Sequence, residues 1–169
     1  MGVLPVDAGF TDYVTARALW LRKVAYLLCG DWHRADDLVQ TAVTKLYTHW
    51  HRAAKADNLD GYARRTLVNT FLAEQRTSWW RMVDLRGTDH DRPSAGADLE
   101  TTLDLRAALE RLPPRQRATV VLRYYSDLPV AEVAQALGCS VGTVKSQTAR
   151  AVEALRGLLP AEPVSTPEG

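Results

Sequence analysis

The chain has 169 residues, of which 46% are hydrophobic and 24% are charged, so its composition is that of a folded globular protein and not of a disordered one. No stretch reaches the roughly 18 consecutive apolar residues that a membrane span needs. The first residues lack the basic and apolar segments of a signal peptide. The sequence therefore predicts a cytoplasmic protein, without a membrane partner, that forms one ordinary domain or two small ones.

The net charge of +1 is unevenly distributed along the chain. Residues 1–81 carry 11 basic and 8 acidic side chains, a net +3, and residues 105–169 carry 8 and 6, a net +2. Residues 82–104 carry 2 basic and 6 acidic side chains, a net −4. This distribution indicates two mildly basic bodies joined by an acidic tether, although any solvated linker could have an acidic balance.

Three amphipathic helices are predicted in the first half. Apolar side chains recur at helical spacing over 11–29, and Gly30 follows where helices often end in a left-handed residue. Asp31 is placed to cap a second helix over about 32–50. A third helix over about 60–80 buries one side, while Arg65, Asn69 and Arg76 line up on the opposite, basic side.

The second half is also predicted to be helical. Residues 82–100 have no sustained periodicity and contain glycine, proline and scattered aspartate, as linkers do, and helical patterning resumes near Thr101. Further on, Leu103, Ala107 and Leu112 predict a short helix that a pair of prolines ends, and another helix ends near Asp127. No run alternates like a half-buried strand. We predict an all-α chain with a domain at 1–81, a flexible acidic linker at 82–103, a domain at 104–160 and a tail at 161–169.

The segment from Pro129 to Leu159 fits a helix-turn-helix. Ala134 is small where two helices must touch, Gly138 can take the left-handed turn, and Val144 is apolar where the second helix must lock onto the first. Ser140 can cap that second helix. Its outward side suits a DNA major groove, with five polar residues: Thr143, Lys145, Ser146, Gln147 and Arg150. The alternative is an ordinary helical hairpin with a solvated polar side.

Two stretches together carry a family resemblance. The first is Ser140-Val141-Gly142-Thr143-Val144-Lys145-Ser146, followed by Ala149-Arg150-Ala151 and preceded by Leu112-Pro113-Pro114-Arg115-Gln116-Arg117. The second is Ala35-Asp36-Asp37-Leu38-Val39-Gln40. They resemble region 4 and region 2 of the extracytoplasmic-function sigma factors of RNA polymerase, in particular the actinobacterial sigma-E-type group. The motifs stand in that family's order, and the resemblance covers residues 10–159.

The resemblance implies a region 2 helical bundle and a region 4 helix-turn-helix, which bind core RNA polymerase and promoter DNA and direct strand opening and initiation. Asp37 and Gln40 match positions that dock on the polymerase clamp. Arg64, Arg65, Asn69 and Arg76 match the surface that reads the minus-ten element, and the five outward residues of the helix-turn-helix would read the minus-thirty-five element. Thr41 and Val43 depart from the residues common at their positions. An anti-sigma factor is a further candidate partner.

At three sets of residues, an interpretation other than polymerase or DNA binding stays open. Asp36 and Asp37 also suit the N-terminal part of any helix because of its dipole, and a basic face is often merely solvated. Trp79 and Trp80 are expected to pack, because neighbours on a helix cannot both face one DNA strand.

Catalytic and metal-binding chemistry is not expected. His33, His49 and His51 lie near Cys29, but no second cysteine pair completes a tetrahedral set. No phosphate loop or nucleophile motif is present. We therefore expect no cofactor, no metal and no enzymatic activity, with Cys29 and Cys139 as small buried hydrophobes.

Two other functions remain as alternatives. The first is a conventional dimeric helix-turn-helix regulator, in which residues 1–81 sense or dimerise and the protein binds two half-sites unaided. The second is a protein-interaction adaptor, which would leave the basic helix unexplained.

Overall fold

A computed structural model gives the backbone of residues 7–84 and 101–159, with side chains described at 7–78 and 105–159. Its helices are α1 (Ala8–Cys29), α2 (Trp32–Thr48), α3 (Trp50–Ala53), α4 (Leu59–Asp84), α5 (Thr101–Arg111), α6 (Pro114–Val120), a π-helical turn (Val121–Tyr125) that continues α6, α7 (Val130–Leu137) and α8 (Val141–Leu158). These ranges contain no strand, which confirms the all-α class. Within them, no helix is long and apolar enough to cross a bilayer.

Side-chain caps set the helix boundaries in the first half. Asp7 Oδ1 accepts a hydrogen bond from Gly9 N at 2.7 Å, so α1 begins three residues before its predicted start. At the other end of α1, Gly30 has a φ of 74° and closes the helix, as predicted. Asp31 Oδ1 accepts from Arg34 N at 3.0 Å and caps α2, which also confirms the prediction.

The second half contains a feature that periodicity did not predict. Proline is tolerated at the first position of a helix, because the backbone N–H that it lacks would have no partner within the helix, and α6 begins at Pro114. After Val120 the helix widens, and Ser126 N donates to Val121 O at 3.0 Å across five residues. Gly138, with a φ of 66°, then separates α7 from α8 as the helix-turn-helix prediction required.

The predicted apolar stripes form the core. Fully buried residues from the first half include Leu28, Leu38, Leu67 and Phe71. The stripe of α5 agrees with the prediction at Leu112, which is buried just after the helix ends. It differs at Ala107, which is exposed, while the neighbouring Ala108 and Leu109 are buried.

One buried cluster includes residues of both halves. Val68, Phe71 and Leu72 of α4 belong to it together with residues of the π-helical turn, α7 and α8. The two helical regions therefore pack against each other. At their junction, α4 continues to Asp84 and α5 starts at Thr101, so both helices enter the predicted linker. Its central part, 85–100, and the tail from residue 160 lie outside the described residues.

Candidate polymerase and nucleic-acid interfaces

The second helix of the helix-turn-helix, α8, is held by two inward residues and one cap. Val144 and Ala151 are fully buried, and Ser140 Oγ accepts from Thr143 N at 3.1 Å, as predicted. Arg115 Nη2 donates to Leu137 O at 3.0 Å, which ties α6 to the C-terminal end of α7. The inner side of α8 is thus packed against the rest of the fold, and its outer side is exposed.

The five predicted residues of α8 do not share one degree of exposure. Lys145, Ser146 and Arg150 are exposed, whereas Thr143 and Gln147 are half-buried. The Gln147 Oε1 atom is buried and has no hydrogen-bond partner among the described residues. The side chains of Lys145, Ser146 and Arg150 are therefore accessible to a DNA groove, while Thr143 and Gln147 lie at the border between the outer face of α8 and the core.

A groove of about 670 Å³ runs beside this helix. It is lined by Lys145, Ala149 and Arg156 of α8 together with Arg123 and Tyr124 of the π-helical turn, and by Val130, Thr148, Val152 and Glu153. Arg123 Nη1 donates to Leu128 O at 2.8 Å, and its guanidinium lies 5.9 Å from the centroid of the Tyr124 ring. Three cations oppose one carboxylate here, which favours an anionic ligand.

Sequence reasoning missed Arg123, Tyr124 and Arg156. Arg156 carried a usable signal, because it lies on the same flank of α8 as Lys145 at helical spacing. The positions of Arg123 and Tyr124 depend on the π-helical turn, and an α-helical wheel assigns them to the wrong angle.

The basic face of α4 is exposed as predicted at Arg65, Asn69 and Arg76. Arg64 differs from these three residues. It is half-buried, its guanidinium lies 5.1 Å from the centroid of the Trp20 ring, and its Nε is buried without a hydrogen-bond partner in the described part of the chain. Arg64 therefore contacts α1, whereas the other three side chains face solvent.

A polar network holds the N-terminal end of α4 on α1. Tyr13 Oη donates to Asp60 Oδ1 at 2.8 Å, and Arg17 forms an ion pair with Asp60 Oδ2 at 2.8 Å. Burial, followed by the hydrogen bond to Asp60, raises the pKa of Tyr13. Asn58 Oδ1 accepts from Gly61 N at 2.9 Å and caps the helix. The loop before α4 is therefore anchored at its C-terminal end.

Asp37 and Gln40 are exposed on the outer side of α2. The neighbouring Asp36 is already engaged, because Arg22 Nε lies 2.7 Å from its Oδ1 atom and this hydrogen bond lowers the pKa of the Asp36 carboxyl. The same guanidinium lies 4.3 Å from the centroid of the Trp32 ring. Asp37, in contrast, is available to a partner, since no ion pair involves its side chain in the described residues.

The side chains of Trp79 and Trp80 lie outside the described residues, so their predicted packing stays a prediction. Both cysteines are free thiols. Cys29 is buried, which raises its pKa to about 11, while Cys139 is only half-buried, contrary to expectation.

Comparison with protein families finds two matches in the order that the motifs predicted. Residues 13–81 match sigma-70 region 2, and residues 102–155 match sigma-70 region 4. The chain is 38% identical over 153 residues to an RNA polymerase sigma-E factor of Streptomyces avermitilis, covering 87% of this chain and 83% of that protein. It is 32% identical to the sigma factor EcfG of Rhodopseudomonas palustris, covering 92% and 88%.

A solved structure is similar over most of the chain. The sigma factor RpoE of Bartonella quintana, in its complex with the anti-sigma factor NepR, matches with a TM-score of 0.73 and 26% identity. The match covers 89% of this chain and 96% of RpoE.

Proposed function

The chain belongs to the extracytoplasmic-function sigma factors of RNA polymerase, and from that membership we propose which of its surfaces performs each step of initiation. As a member of the family, it binds core RNA polymerase and directs promoter recognition, strand opening and transcription initiation. The part that a dimeric regulator would use for sensing or dimerisation, residues 1–81, is largely matched by region 2.

We propose that 1–81 and 104–160 are the two functional units and that α2 docks on polymerase through Asp37 and Gln40. The support is that Asp37 and Gln40 are both exposed, whereas the neighbouring Asp36 already forms an ion pair with Arg22. Gln40→Ala and Asp37→Ala should weaken capture of core polymerase, while Asp12→Ala, an exposed acidic residue of α1, serves as the matched control. Equal capture by all three variants would contradict this placement.

The minus-ten strand is proposed to lie along the exposed face of α4. Arg65, Asn69 and Arg76 project from that face, and cations there can follow a phosphate backbone. The contact of Arg64 with Trp20 supports a positioning role, in which it holds α4 against α1. A direct contact of Arg64 with DNA stays a prediction.

The minus-thirty-five duplex is proposed to meet α8, with base edges at Ser146 and Arg150 and support from Thr143 and Gln147. Its phosphate backbone would follow the groove beside Lys145. Arg156→Ala should then reduce the slope of log affinity against log salt by about one unit without changing base preference. The control is Arg111→Ala, an exposed arginine of α5 outside the groove.

Three broader proposals come from the family. The protein acts in the cytoplasm, where its polymerase is, and catalyses no reaction itself, because the bond-forming chemistry belongs to core polymerase. An anti-sigma factor restrains it. The support for this partner is that RpoE, the similar solved structure, is in complex with one.

The observation that carries the assignment is the order of the two matched regions, combined with exposed cationic faces on α4 and α8. The test is run-off transcription on fragmented genomic DNA with purified core polymerase. Discrete start sites should appear only when both proteins are present. Specific promoter binding by the isolated chain, with no effect on transcription by core, would instead support the dimeric regulator.

A further inference from the structure

Trp20 of α1 lies next to the helix on which we place the minus-ten strand. It is half-buried and packs from outside against the main buried cluster. The Arg64 guanidinium lies 5.1 Å from the centroid of its ring, and the Arg17 guanidinium lies 5.8 Å from it. One aromatic ring and two cations therefore lie together where α1 meets α4.

The surroundings of this ring differ from those of Trp32, which is 42% exposed. Trp32 stacks on Tyr26 with a centroid separation of 3.9 Å, and the Arg22 guanidinium lies 4.3 Å from its centroid. These partners occupy the ring surface that a nucleic-acid base would need. Among the described residues, Trp20 has no stacked aromatic partner, and neither of its cations lies as close, so a planar group can approach its ring.

The charges around Trp20 favour an anionic ligand. Arg17 is paired with Asp60 at 2.8 Å, whereas no ion pair involves Arg64 or Lys23 in the described part of the chain. Lys23 is exposed and lies one turn after Trp20 on the same helix. Three of these four charged groups are cations, and the half-buried Arg64 lacks a counter-charge that an anion would supply.

An aromatic ring flanked by cations is typical of sites that bind single-stranded nucleic acid. Any base can stack on the ring, while the cations contact the phosphates. The bases of duplex DNA are stacked on one another, so a ring on a protein surface can receive only a base of an opened strand. Strand opening is one of the steps that the family directs, and it supplies such bases beside α4.

We propose that Trp20 is a stacking site for one base of the opened minus-ten strand, and that Lys23 and Arg64 attract the neighbouring phosphates. The strand then passes from the exposed face of α4 onto α1. The proposal rests on the proposed function, because α1 receives the strand only if α4 carries it. Stacking does not depend on the identity of the base, so Trp20 adds affinity for opened DNA without contributing to promoter choice.

Photo-crosslinking tests this contact directly. Holoenzyme, assembled from core polymerase and the full chain, is irradiated with random single-stranded oligonucleotides in which 5-iodouracil replaces thymine. This base forms a covalent bond with an aromatic side chain that stacks on it, and peptide mass spectrometry locates the bond. Trp20 should be cross-linked. Cross-links confined to α4 would overturn the proposal and leave Trp20 as a packing residue.

Substitutions separate stacking from packing. Trp20→Leu should lower the affinity of holoenzyme for the same oligonucleotides on the order of tenfold, the usual value of one base on an aromatic ring. Trp20→Phe should keep most of the affinity, because stacking needs only an aromatic ring. Leu19→Ala, at a neighbouring apolar side chain that is 63% exposed, is the matched control and should have no effect. Unchanged affinity in Trp20→Leu, or equal losses in Trp20→Leu and Trp20→Phe, would refute stacking.

The phosphate contact has its own readout. Lys23→Ala should reduce the slope of log affinity against log salt by about 0.7 for single-stranded DNA, while Arg111→Ala should leave it unchanged. An equal slope in both variants would overturn this part of the proposal. Normal run-off transcription with unchanged affinity in Trp20→Leu would refute the stacking site alone. Absence of transcription, with no effect of Arg65→Ala on oligonucleotide binding, would refute the placement of the strand on α4 and the stacking site with it.

Discussion

Replacement of Arg117 should be the most costly single change in the second region. Its side chain is only 5% exposed, yet within the described ranges it donates hydrogen bonds to four carbonyl oxygens, those of Leu28 at 2.6 Å, Leu109 at 2.7 Å, Glu110 at 2.9 Å and Leu112 at 3.0 Å. At about 1 kcal/mol for each lost bond, Arg117→Met should lower the free energy of unfolding by about 4 kcal/mol. A typical domain has only about 5–15 kcal/mol in total.

Urea unfolding followed by circular dichroism measures this loss. Arg117→Lys should cost about half as much, because one ammonium group with three donors lacks the planar fork that reaches four carbonyls. Arg111→Met, an exposed arginine at the end of α5, should change stability by less than about 0.5 kcal/mol. If Arg117→Met costs under about 1 kcal/mol, or if Arg117→Lys equals wild type, the carbonyl contacts do not stabilise the fold.

Three further results are expected. Gly138→Ala should lower the free energy of unfolding by about 1 kcal/mol, because alanine is strained at a φ of 66° even though no atom lies within 4 Å of the added Cβ. Gly157→Ala, inside α8, should instead raise the free energy of unfolding by about 0.5–1 kcal/mol. Equal effects of the two substitutions in urea unfolding would refute a conformational cause. In thiol labelling at pH 8 with peptide mass spectrometry, Cys139 should react well before Cys29, because burial raises the pKa of Cys29 to about 11; equal labelling of the two thiols would contradict this burial. The stabilisation that the folded state gains from the neutral Cys29 thiol is complete below the unfolded pKa of about 8.5 and is lost as the pH rises towards 11. Arg150→Ala should cost about 1–3 kcal/mol at one upstream base pair in competition binding with holoenzyme, and a uniform loss over all sequences would show a phosphate contact instead.

Local features of the fold were predictable from sequence because each depends on neighbouring residues. Gly30 and Gly138 mark helix ends that need a positive φ, and Asp31 and Ser140 mark caps that the hydrogen bonds confirm. The predicted start of α1 is late because Asp7 precedes the first apolar residue of its stripe and carries no periodic signal. Periodicity finds a buried face, but it does not find a cap that lies beyond it.

The contact between the two regions could not be predicted in this way. Arg117 is 89 residues from its acceptor Leu28, and an arginine in a helical pattern is ordinarily assigned to solvent. The contact of Arg64 with Trp20 has the same origin, because one helix's pattern does not indicate which neighbour covers it. Of the candidate site, exposure of the α4 face and of Lys145, Ser146 and Arg150 followed from helical spacing alone.

The π-helical turn from Val121 to Tyr125 bears on how this region tolerates change over evolution. A π-helical turn accommodates one residue more than an α-helix of the same span. Deletion of a single residue there could be absorbed by return to an α-helix, with α7 and α8 kept in place. The same deletion inside α8, before Arg150, would rotate every later side chain by about 100° and move Arg150 off the exposed face that we propose to meet DNA. Length variation among related chains should therefore concentrate at 121–125, and it would remove Arg123 and Tyr124 from the groove without disturbing α8.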